Sequence, residues 1–382
     1  MAARLTAYLV SIIVGLTFIA GLMVGAQRDN QGPVDLIIVN GNVYTADGEG
    51  TMAEAVAIQG NKILLVGSNR EVQRLRRAQT VVVDAKGGAV LPGFNDAHAH
   101  MISGGLGLEQ IQLGDARTLP AIETAIREWL SENADSEWVV GRGWYYEPFP
   151  EGLPTRQILD ALVPDRPAFL TAYDGHTAWA NSAALKLARI TRRTPNPADG
   201  TIVKDPRTGE PTGVLKEAAM GLVQTLIPPP TQDERATALR AAIDEAHRRG
   251  VTSIQSAGDT RQDLELYDRL RRDSELDVRV YAAIRGGTEI TPEDLDELDE
   301  LRAKYPDDPL LKTGAIKLMA DGVIETHTAA MLAPYANSPK TRGEPRIDPD
   351  TLNRMVRLFD ERGWQVMIHA IGDRAIRMAL DA

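Results

Sequence analysis

Cysteine is absent from the 382-residue sequence. This absence excludes disulfide bonds, zinc sites built on cysteine and thiol nucleophiles, although it does not distinguish a reducing from an oxidising compartment. A metal ion in this protein would therefore bind to histidine, aspartate, glutamate or a modified lysine.

Concentrated positive charge is lacking as well. The sequence has 53 acidic and 42 basic residues, a net charge of −11, and basic pairs such as Arg248 and Arg249 are dispersed along the chain. Proteins that bind nucleic acids concentrate lysine and arginine on one surface. We therefore expect no nucleic acid partner.

Several enzyme motifs are also missing. The sequence has no G-x-S-x-G nucleophile turn, no P-loop, no H-E-x-x-H zinc helix and no glycine-rich dinucleotide fingerprint. Each of these patterns is the mark of a particular chemistry. Their absence argues against the enzyme classes that use these motifs.

One long apolar run is present near the N-terminus. Residues 5–26 carry no charge and follow Arg4. A helix of about 20 apolar residues spans a bilayer, but small residues at Val24 and Ala26 also fit a signal-peptide cleavage site before Gln27. We expect residues 1–28 to be a membrane anchor or a signal peptide, and the chain to be exported as a membrane-anchored, periplasmic or extracellular protein.

Two patterns follow this segment. Residues 34–88 alternate in short β signals, with turns at Asn40-Gly41 and Gly60-Asn61, and predict a small β-sheet unit. From residue 89 onward, apolar strands alternate with helices, as in a parallel α/β sheet. The candidate strands are 89–94, 251–257, 278–284, 314–320 and 364–370.

These strands predict five βα units of an incomplete (β/α)8-type barrel over residues 89–382, with a long insertion at about 102–230 that forms an elaborated loop over the barrel mouth. The helical pattern continues to the last residue, so we expect the chain to be a fragment. The alternative is an open doubly wound sheet, to which residues 138–143 and 167–173 would add strands.

The stretch "NDAHAH" places His98 and His100 two residues apart at the end of the first barrel strand. Residues i and i+2 of a strand face the same way, so the two imidazoles can share one divalent ion, and Asp96 has the same parity. By itself the pair fits a metal site and a polar loop equally well.

Two later strands carry further donor residues. Lys317 lies in the apolar strand "AIKLMADG", where an ammonium group is poorly solvated, and His369 ends the strand "QVMIHAIGD". Carboxylation of Lys317 by carbon dioxide would make it an anionic metal ligand; the alternative is a lysine that reaches solvent. Donor residues at three strand ends favour a shared metal site.

Residues in the loops above these strand ends are candidates for substrate contact or for supporting the metal ligands. Asp321 and His327 follow the strand of Lys317, and His176 lies in "DGHTAWANS". Plain loop structure explains them equally well. Further candidates for substrate contact are Trp144, Tyr145 and Tyr173.

Five stretches together resemble the amidohydrolase superfamily, and within it the amidohydrolase 3 group. They span most of residues 35–382 and read "DLIIVNGNVYTAD", "LPGFNDAHAH", "LPTRQILDALVPDRPAFLTAYDGHTAWANSAAL", "GAIKLMADGVIETHTAAML" and "VMIHAIGDRAI". The resemblance implies a composite β-sandwich, of which 34–88 would be the N-terminal part, beside a metal-bearing (β/α) barrel.

The resemblance also implies roles for individual residues. His98 and His100 would be the first-strand ligands, Lys317 the carboxylated ligand between two metal ions, and His369 the fifth-strand ligand. The family's sixth-strand histidine and its catalytic eighth-strand aspartate would lie beyond residue 382, so no catalytic residue is identified in this chain.

The function implied is hydrolysis of a carbon–nitrogen bond other than a peptide bond, in an amide or an N-substituted formamide-like small molecule. One or two divalent ions, zinc by preference, would activate the attacking water. The alternative is a catalytically inactive, membrane-anchored fragment that acts as a binding module. The membrane is a partner if residues 5–26 are not cleaved, and a homo-oligomer is left open.

Overall fold

The structure is a computed structural model that describes residues 34–198, 200–305, 308–324 and 327–382. The described residues divide into two compact units, residues 34–93 and 94–382.

The first unit contains two small sheets. One has the strand order β5-β4-β1-β6 and the other the order β3-β2-β7. Its elements are β1 (Leu36–Val39), β2 (Asn42–Tyr44), β3 (Met52–Ala53), β4 (Ala55–Gln59), β5 (Lys62–Gly67), α1 (Asn69–Gln73), β6 (Val81–Asp84) and β7 (Ala89–Val90). Ile37, Ala57 and Val72 are buried in its core, as the alternating pattern predicts.

The second unit is built on a five-stranded, all-parallel sheet with the order β18-β17-β16-β15-β8. The strands are β8 (Phe94–Ala99), β15 (Val251–Asp259), β16 (Arg279–Arg285), β17 (Leu311–Met319) and β18 (Gln365–His369). The helices between and after them are α2 (Met101–Leu108), α7 (Gln232–Arg248), α8 (Arg261–Arg272), α9 (Pro292–Lys304), α10 (Pro349–Glu361) and α11 (Asp373–Asp381). This is the incomplete (β/α) barrel that the sequence predicts.

Local signals in the sequence set the helix boundaries. Thr231 and Glu234 form a capping box at the start of α7, Gly250 follows its end at φ 74°, and Asp348 caps α10. Each cap gives a partner to backbone N–H groups that the first helical turn leaves unpaired.

The first barrel strand lies later in the chain than predicted. Residues 89–94 were expected to form it, but Ala89–Val90 pairs with β2 of the first unit, whereas Phe94–Ala99 pairs with β15. Pro92 lies between the two strands, and proline cannot donate a ladder hydrogen bond. His98 is therefore part of the strand itself.

The insertion is a folded layer with its own sheet, not the elaborated loop that the sequence favoured. Its six strands have the order β13-β14-β12-β11-β10-β9. Its elements are β9 (Ile111–Gln112), α3 (Leu119–Glu132), β10 (Val139–Trp144), α4 (Arg156–Leu162), β11 (Ala168–Ala172), β12 (Thr177–Ala180), α5 (Ser182–Leu187), β13 (Gly200–Lys204), β14 (Pro211–Glu217) and α6 (Gly221–Gln224), with single 3₁₀ turns at Pro150–Gly152 and Ala218–Met220.

The segments 138–143 and 167–173 belong to this separate sheet as β10 and β11. An open doubly wound sheet would have required them beside the barrel strands. That alternative is therefore wrong.

The expectation of a membrane-spanning segment is also corrected. Across the described ranges, no helix combines the length and the apolar character needed to cross a bilayer. Residues 5–26, from which the expectation came, lie outside the described residues.

Close packing of α2 on α7 yields a stability prediction. A Cβ atom at Gly105 would lie 1.9 Å from the backbone O of Ala238, whereas one at Gly104 would have nothing within 4 Å. We expect Gly105→Ala to lower the free energy of unfolding by about 1–3 kcal/mol because the two helices must separate. Gly104→Ala, the matched control, should raise it by about 0.5–1 kcal/mol through its higher helix propensity. Urea unfolding measures both, and equal effects would contradict the packing argument.

Candidate metal centre

His98 and His100 lie at the carboxyl end of β8, where both side chains are exposed. Their ring centroids are 5.2 Å apart, with 61° between the ring planes. The backbone N–H of His98 donates to Oδ1 of Asp96 at 3.0 Å. The two imidazoles are therefore neighbours, as the i, i+2 spacing predicts.

Lys317 lies on β17, two strands away from β15 in the sheet order, and it is 5% exposed. Burial lowers the pKa of its ammonium group below the usual value, because a low-dielectric environment disfavours the charged form. The adjoining backbone is that of Gly258 on β15, where a Cβ atom would lie 3.7 Å from Cγ of Lys317. A buried amine of this kind is more easily neutral than a surface lysine.

His369 ends β18, and 18% of its side chain is exposed. Its Nε2 lies 2.9 Å from the backbone O of Gly322. Because a carbonyl oxygen only accepts, the imidazole donates from Nε2, which leaves Nδ1 as the nitrogen able to bind a metal. A backbone carbonyl that fixes the histidine tautomer in this way is common around metal ligands.

The pKa of His98 is influenced by charged groups from three strand ends. Partial burial lowers the pKa of His98, and the positive charges of Lys317, His100 and His369 lower it further, whereas Asp96 opposes them. Charges act in this way only over short distances. The fold thus brings the four predicted ligands to one edge of the sheet.

The donor set of this cluster fits a divalent ion. Two imidazoles that share a tetrahedral zinc ion, with Zn–N distances of about 2.0–2.1 Å, have ring centroids roughly 5 Å apart, as His98 and His100 have. Within the described ranges, no three His, Cys, Asp or Glu side chains are grouped so that they could hold an ion by themselves. The site therefore depends on Lys317 as a further donor.

Asp321, predicted as a substrate contact, is completely buried below this edge. Its Oδ1 accepts from the backbone N–H of Ile371 at 3.0 Å, and its Oδ2 accepts from those of Ala330 and Gly372, both at 2.8 Å. Oδ1 also lies 3.7 Å from Nε2 of His369. The carboxylate fixes the two loops around His369, and its burial leaves it no access to a substrate.

His327 lies in the loop after β17 with a φ of 58°. Its Nε2 is 3.0 Å from Oδ1 of Asn337, and its ring packs edge-on against Tyr335 with centroids 4.7 Å apart. Both contacts are internal to the loop, so the structure shows a loop-ordering role for this side chain.

The remaining predicted contacts belong to the insertion. Trp144 is completely buried and donates from Nε1 to the backbone O of Leu170 at 2.8 Å, so it packs in the core of that layer. Tyr173 is exposed and stacks on Tyr145, with centroids 4.4 Å apart and planes within 7°.

His176 also lies in the insertion, where its Nδ1 is 3.1 Å from Oε2 of Glu217. Glu217 adopts a φ of 50°, a conformation that is rare for residues other than glycine and that is concentrated at functional sites. Tyr173 is exposed and His176 is half-buried, as is Tyr145, so these three are the accessible polar candidates in this layer.

Sequence reasoning missed a buried polar group at the end of β15. Asp259 is 7% exposed, and burial raises its pKa to about 7, with Asp263 adding to the rise and Ser256 and Arg285 opposing it. Oγ of Ser256 donates to Oδ1 of Asp259 at 2.9 Å. The signal in the sequence that could have identified this group is an aspartate at the end of an apolar parallel strand, which is also the position expected of a metal ligand.

Side chains at the carboxyl ends of parallel strands form the active sites of (β/α) barrel enzymes. The match to the amidohydrolase family model covers residues 81–382, and the chain belongs to that family, within its amidohydrolase 3 group.

Curated proteins match about nine tenths of the chain, among them the following two. "Putative amidohydrolase YtcJ" of Bacillus subtilis is 33% identical over 90% of this chain and 64% of its own length. "N-substituted formamide deformylase" of Arthrobacter pascens is 29% identical over 91% of this chain and 65% of its own length. The chain thus spans slightly less than two thirds of these relatives.

A solved structure shares the fold. The uncharacterized metal-dependent hydrolase from Pyrococcus furiosus superposes with a TM-score of 0.70 at 26% identity, covering 91% of this chain and 69% of that one. The likeness supports the incomplete (β/α) barrel described above.

Proposed function

We propose that the protein is a metal-dependent hydrolase of carbon–nitrogen bonds other than peptide bonds, with amides or N-substituted formamides as substrates. The observation that carries the proposal is the convergence of His98, His100, Lys317 and His369 at the carboxyl edge of one parallel sheet. The names of the two curated relatives, an amidohydrolase and a formamide deformylase, support hydrolysis of a carbon–nitrogen bond.

His98, His100 and His369, together with carboxylated Lys317, would hold one or two divalent ions, and zinc is among the metals that suit imidazole ligands. A bound ion of this kind supplies an activated water at neutral pH and polarises the carbonyl group to be attacked. The lowered pKa of His98 favours the neutral imidazole that a metal requires. The Nε2 contact of His369 with Gly322 leaves its Nδ1 for the metal.

Lys317 would complete the donor set after reaction with carbon dioxide. The lone pair of neutral Nζ forms a bond to the carbon of carbon dioxide, one C–O π pair moves to oxygen, and Nζ loses a proton to water. The product is a carbamate that carries one negative charge. Burial of Lys317 favours this step because it lowers the pKa of the ammonium form and makes the reactive amine available.

Tyr173 and His176 are the residues of the insertion that we propose for substrate contact. Tyr173 offers an exposed aromatic face, and His176 offers a ring nitrogen oriented by Glu217. Aromatic surfaces with a few oriented polar groups are typical of small-molecule sites. Export of the chain stays a prediction from residues 5–26.

Metal analysis tests the proposal. The purified chain should contain bound divalent metal, and the double variant His98→Ala/His100→Ala should lose most of it, since removing even an outer partner of a metal site costs about 10–100-fold in affinity. Lys317→Met should also lower the content. His247→Ala is the matched control, because His247 lies on α7 and its nearest carboxylate, that of Asp277, is 3.7 Å away.

The control should retain the metal content of the parent chain. Equal metal content in all four proteins would refute the metal centre and, with it, the hydrolase. Amide hydrolysis that disappears with the metal and returns when zinc is added back would support both.

A further inference from the structure

A cavity of about 270 Å³ opens at the carboxyl ends of β15 and β16, next to the start of α2 and α8. Its lining includes the charged residues Arg235, Asp259, Asp263 and Arg285, together with His100 and Thr260. One water molecule takes up about 30 Å³ of liquid volume. The cavity is thus much larger than one structural water requires and approaches the size of small-ligand pockets.

Two buried polar atoms on this lining lack partners among the described residues. They are Oδ2 of Asp259, an acceptor, and Nε of Arg235, a donor. The Asp259 side chain is more than nine-tenths buried, since the residue is 7% exposed. Buried polar atoms in folded proteins nearly always have a partner, from the protein or from a bound molecule.

Both side chains also make contacts within the protein. Oδ1 of Asp259 accepts from Ser256, and the Arg235 guanidinium is hydrogen-bonded through Nη2 to Oδ1 of Asp263. Oδ2 of Asp263 in turn accepts from the backbone N–H and the hydroxyl of Thr260. These contacts fix both residues and leave Oδ2 of Asp259 and Nε of Arg235 as the groups for an occupant.

The charges around the cavity select the occupant. A cation would face the guanidinium groups of Arg235 and Arg285, and an anion would face the carboxylates of Asp259 and Asp263. An uncharged group with an N–H donor beside a carbonyl acceptor is repelled by neither the guanidinium groups nor the carboxylates. It supplies a donor for Oδ2 of Asp259 and an acceptor for Nε of Arg235.

We propose that this cavity is a subsite for an uncharged amide group, a carboxamide or a ureide, which donates an N–H to Oδ2 of Asp259 and accepts from Nε of Arg235. Its role as part of a substrate site rests on the proposed function. Its capacity to bind an amide does not.

The subsite adjoins the candidate metal centre. His100 lines the cavity, and so does Gly258, whose backbone is next to Lys317. A substrate with two amide-type groups would then have one at the metal centre and the other against Asp259 and Arg235. The inferred substrate class is therefore a small molecule with a second carboxamide or ureide beside the bond to be cleaved.

Titration of the full chain with acetamide and with methylurea tests the inference at about pH 8, where the Asp259 carboxyl is mostly ionised, followed through the ¹⁵N–¹H signal of arginine Nε. The Arg235 signal is assigned by its loss in Arg235→Gln. We expect it to shift saturably with both probes, and acetate and methylammonium should bind at least tenfold more weakly. Asp259→Asn, which keeps the side-chain volume, should weaken acetamide binding at least tenfold.

Asp160→Asn is the matched control, because Asp160 also accepts from a serine hydroxyl, that of Ser182 at 2.7 Å, but lies in the insertion. It should bind acetamide like the parent chain. The inference is overturned if the Arg235 signal does not move with acetamide, if a charged probe binds as well, or if Asp259→Asn has no effect. If Asp259→Asn proves to be unfolded, the probe selectivity of the parent chain still decides.

The metal measurement stays independent of this result. A chain that binds acetamide in the cavity but holds no metal would contradict the proposed function and leave the subsite standing. A chain that holds metal at His98 and His100 but ignores acetamide would remove the subsite alone.

Discussion

Substituting Asp321 by asparagine is expected to lower the free energy of unfolding by about 3–5 kcal/mol, the range for breaking a buried, charge-assisted network. The carboxylate is completely buried and accepts three backbone N–H groups, from Ala330, Ile371 and Gly372. Asparagine would turn an NH₂ group toward at least one of these donors. Urea unfolding followed by circular dichroism measures the change.

The same substitution should also affect the candidate metal centre. Asp321 fixes the loops that carry Gly322 and Ile371 on either side of His369, so we expect weaker metal retention as well as lower stability. Asp350→Asn is the control, since Asp350 is exposed in the first turn of α10 and surface changes typically remain within about 0.5 kcal/mol. A loss of less than about 1 kcal/mol for Asp321→Asn would contradict the assigned role.

The second large effect is a dependence of stability on pH through Asp259. Burial raises the pKa of this carboxyl from 3.8 to about 7. Between these values the folded chain holds a proton that the unfolded chain has released, so the contribution of Asp259 to stability is fully present below about pH 4 and is lost as the pH rises through about 7. A difference of about three pKa units corresponds to about 4 kcal/mol.

Asp259→Asn removes this titration while keeping the shape of the side chain. The unfolding free energy of the parent chain, minus that of the variant, should therefore decrease by about 4 kcal/mol between pH 4 and pH 8. Taking the difference cancels the titration of other groups that both proteins share. A difference that stays constant over this range would show that Asp259 titrates normally.

The sequence predicts the barrel strands well because their signals are local. Apolar runs bounded by glycine and capping residues mark β15 to β18 within a few residues of their observed bounds. The first barrel strand was misplaced because residues 89–94 are apolar enough for a strand of either sheet. The sequence does not show with which strand each part of this run pairs. The insertion was taken for a loop because its strands are short and interrupted by glycine, proline and aromatic residues.

The same contrast holds for the site. His98, His100, Lys317 and His369 could be singled out from the sequence because each lies in or at the end of a strand signal, and their role as metal ligands stays a prediction. Asp321 was left open between substrate contact and support of the ligands because a sequence does not show whether a carboxylate meets solvent or three backbone amides. The role of Trp144 was likewise undecidable until its burial was known.

The sequence by itself determined the residue types of the site, their spacing along the chain and the alternation of strand and helix, because these depend on composition and local periodicity. The tertiary structure decided which residues are neighbours. It placed Lys317 beside Gly258, fixed His369 through Gly322, and buried Asp259 and Arg235 around one cavity. These relations join residues far apart in the chain, and they arise only when parallel strands align and bury polar groups together.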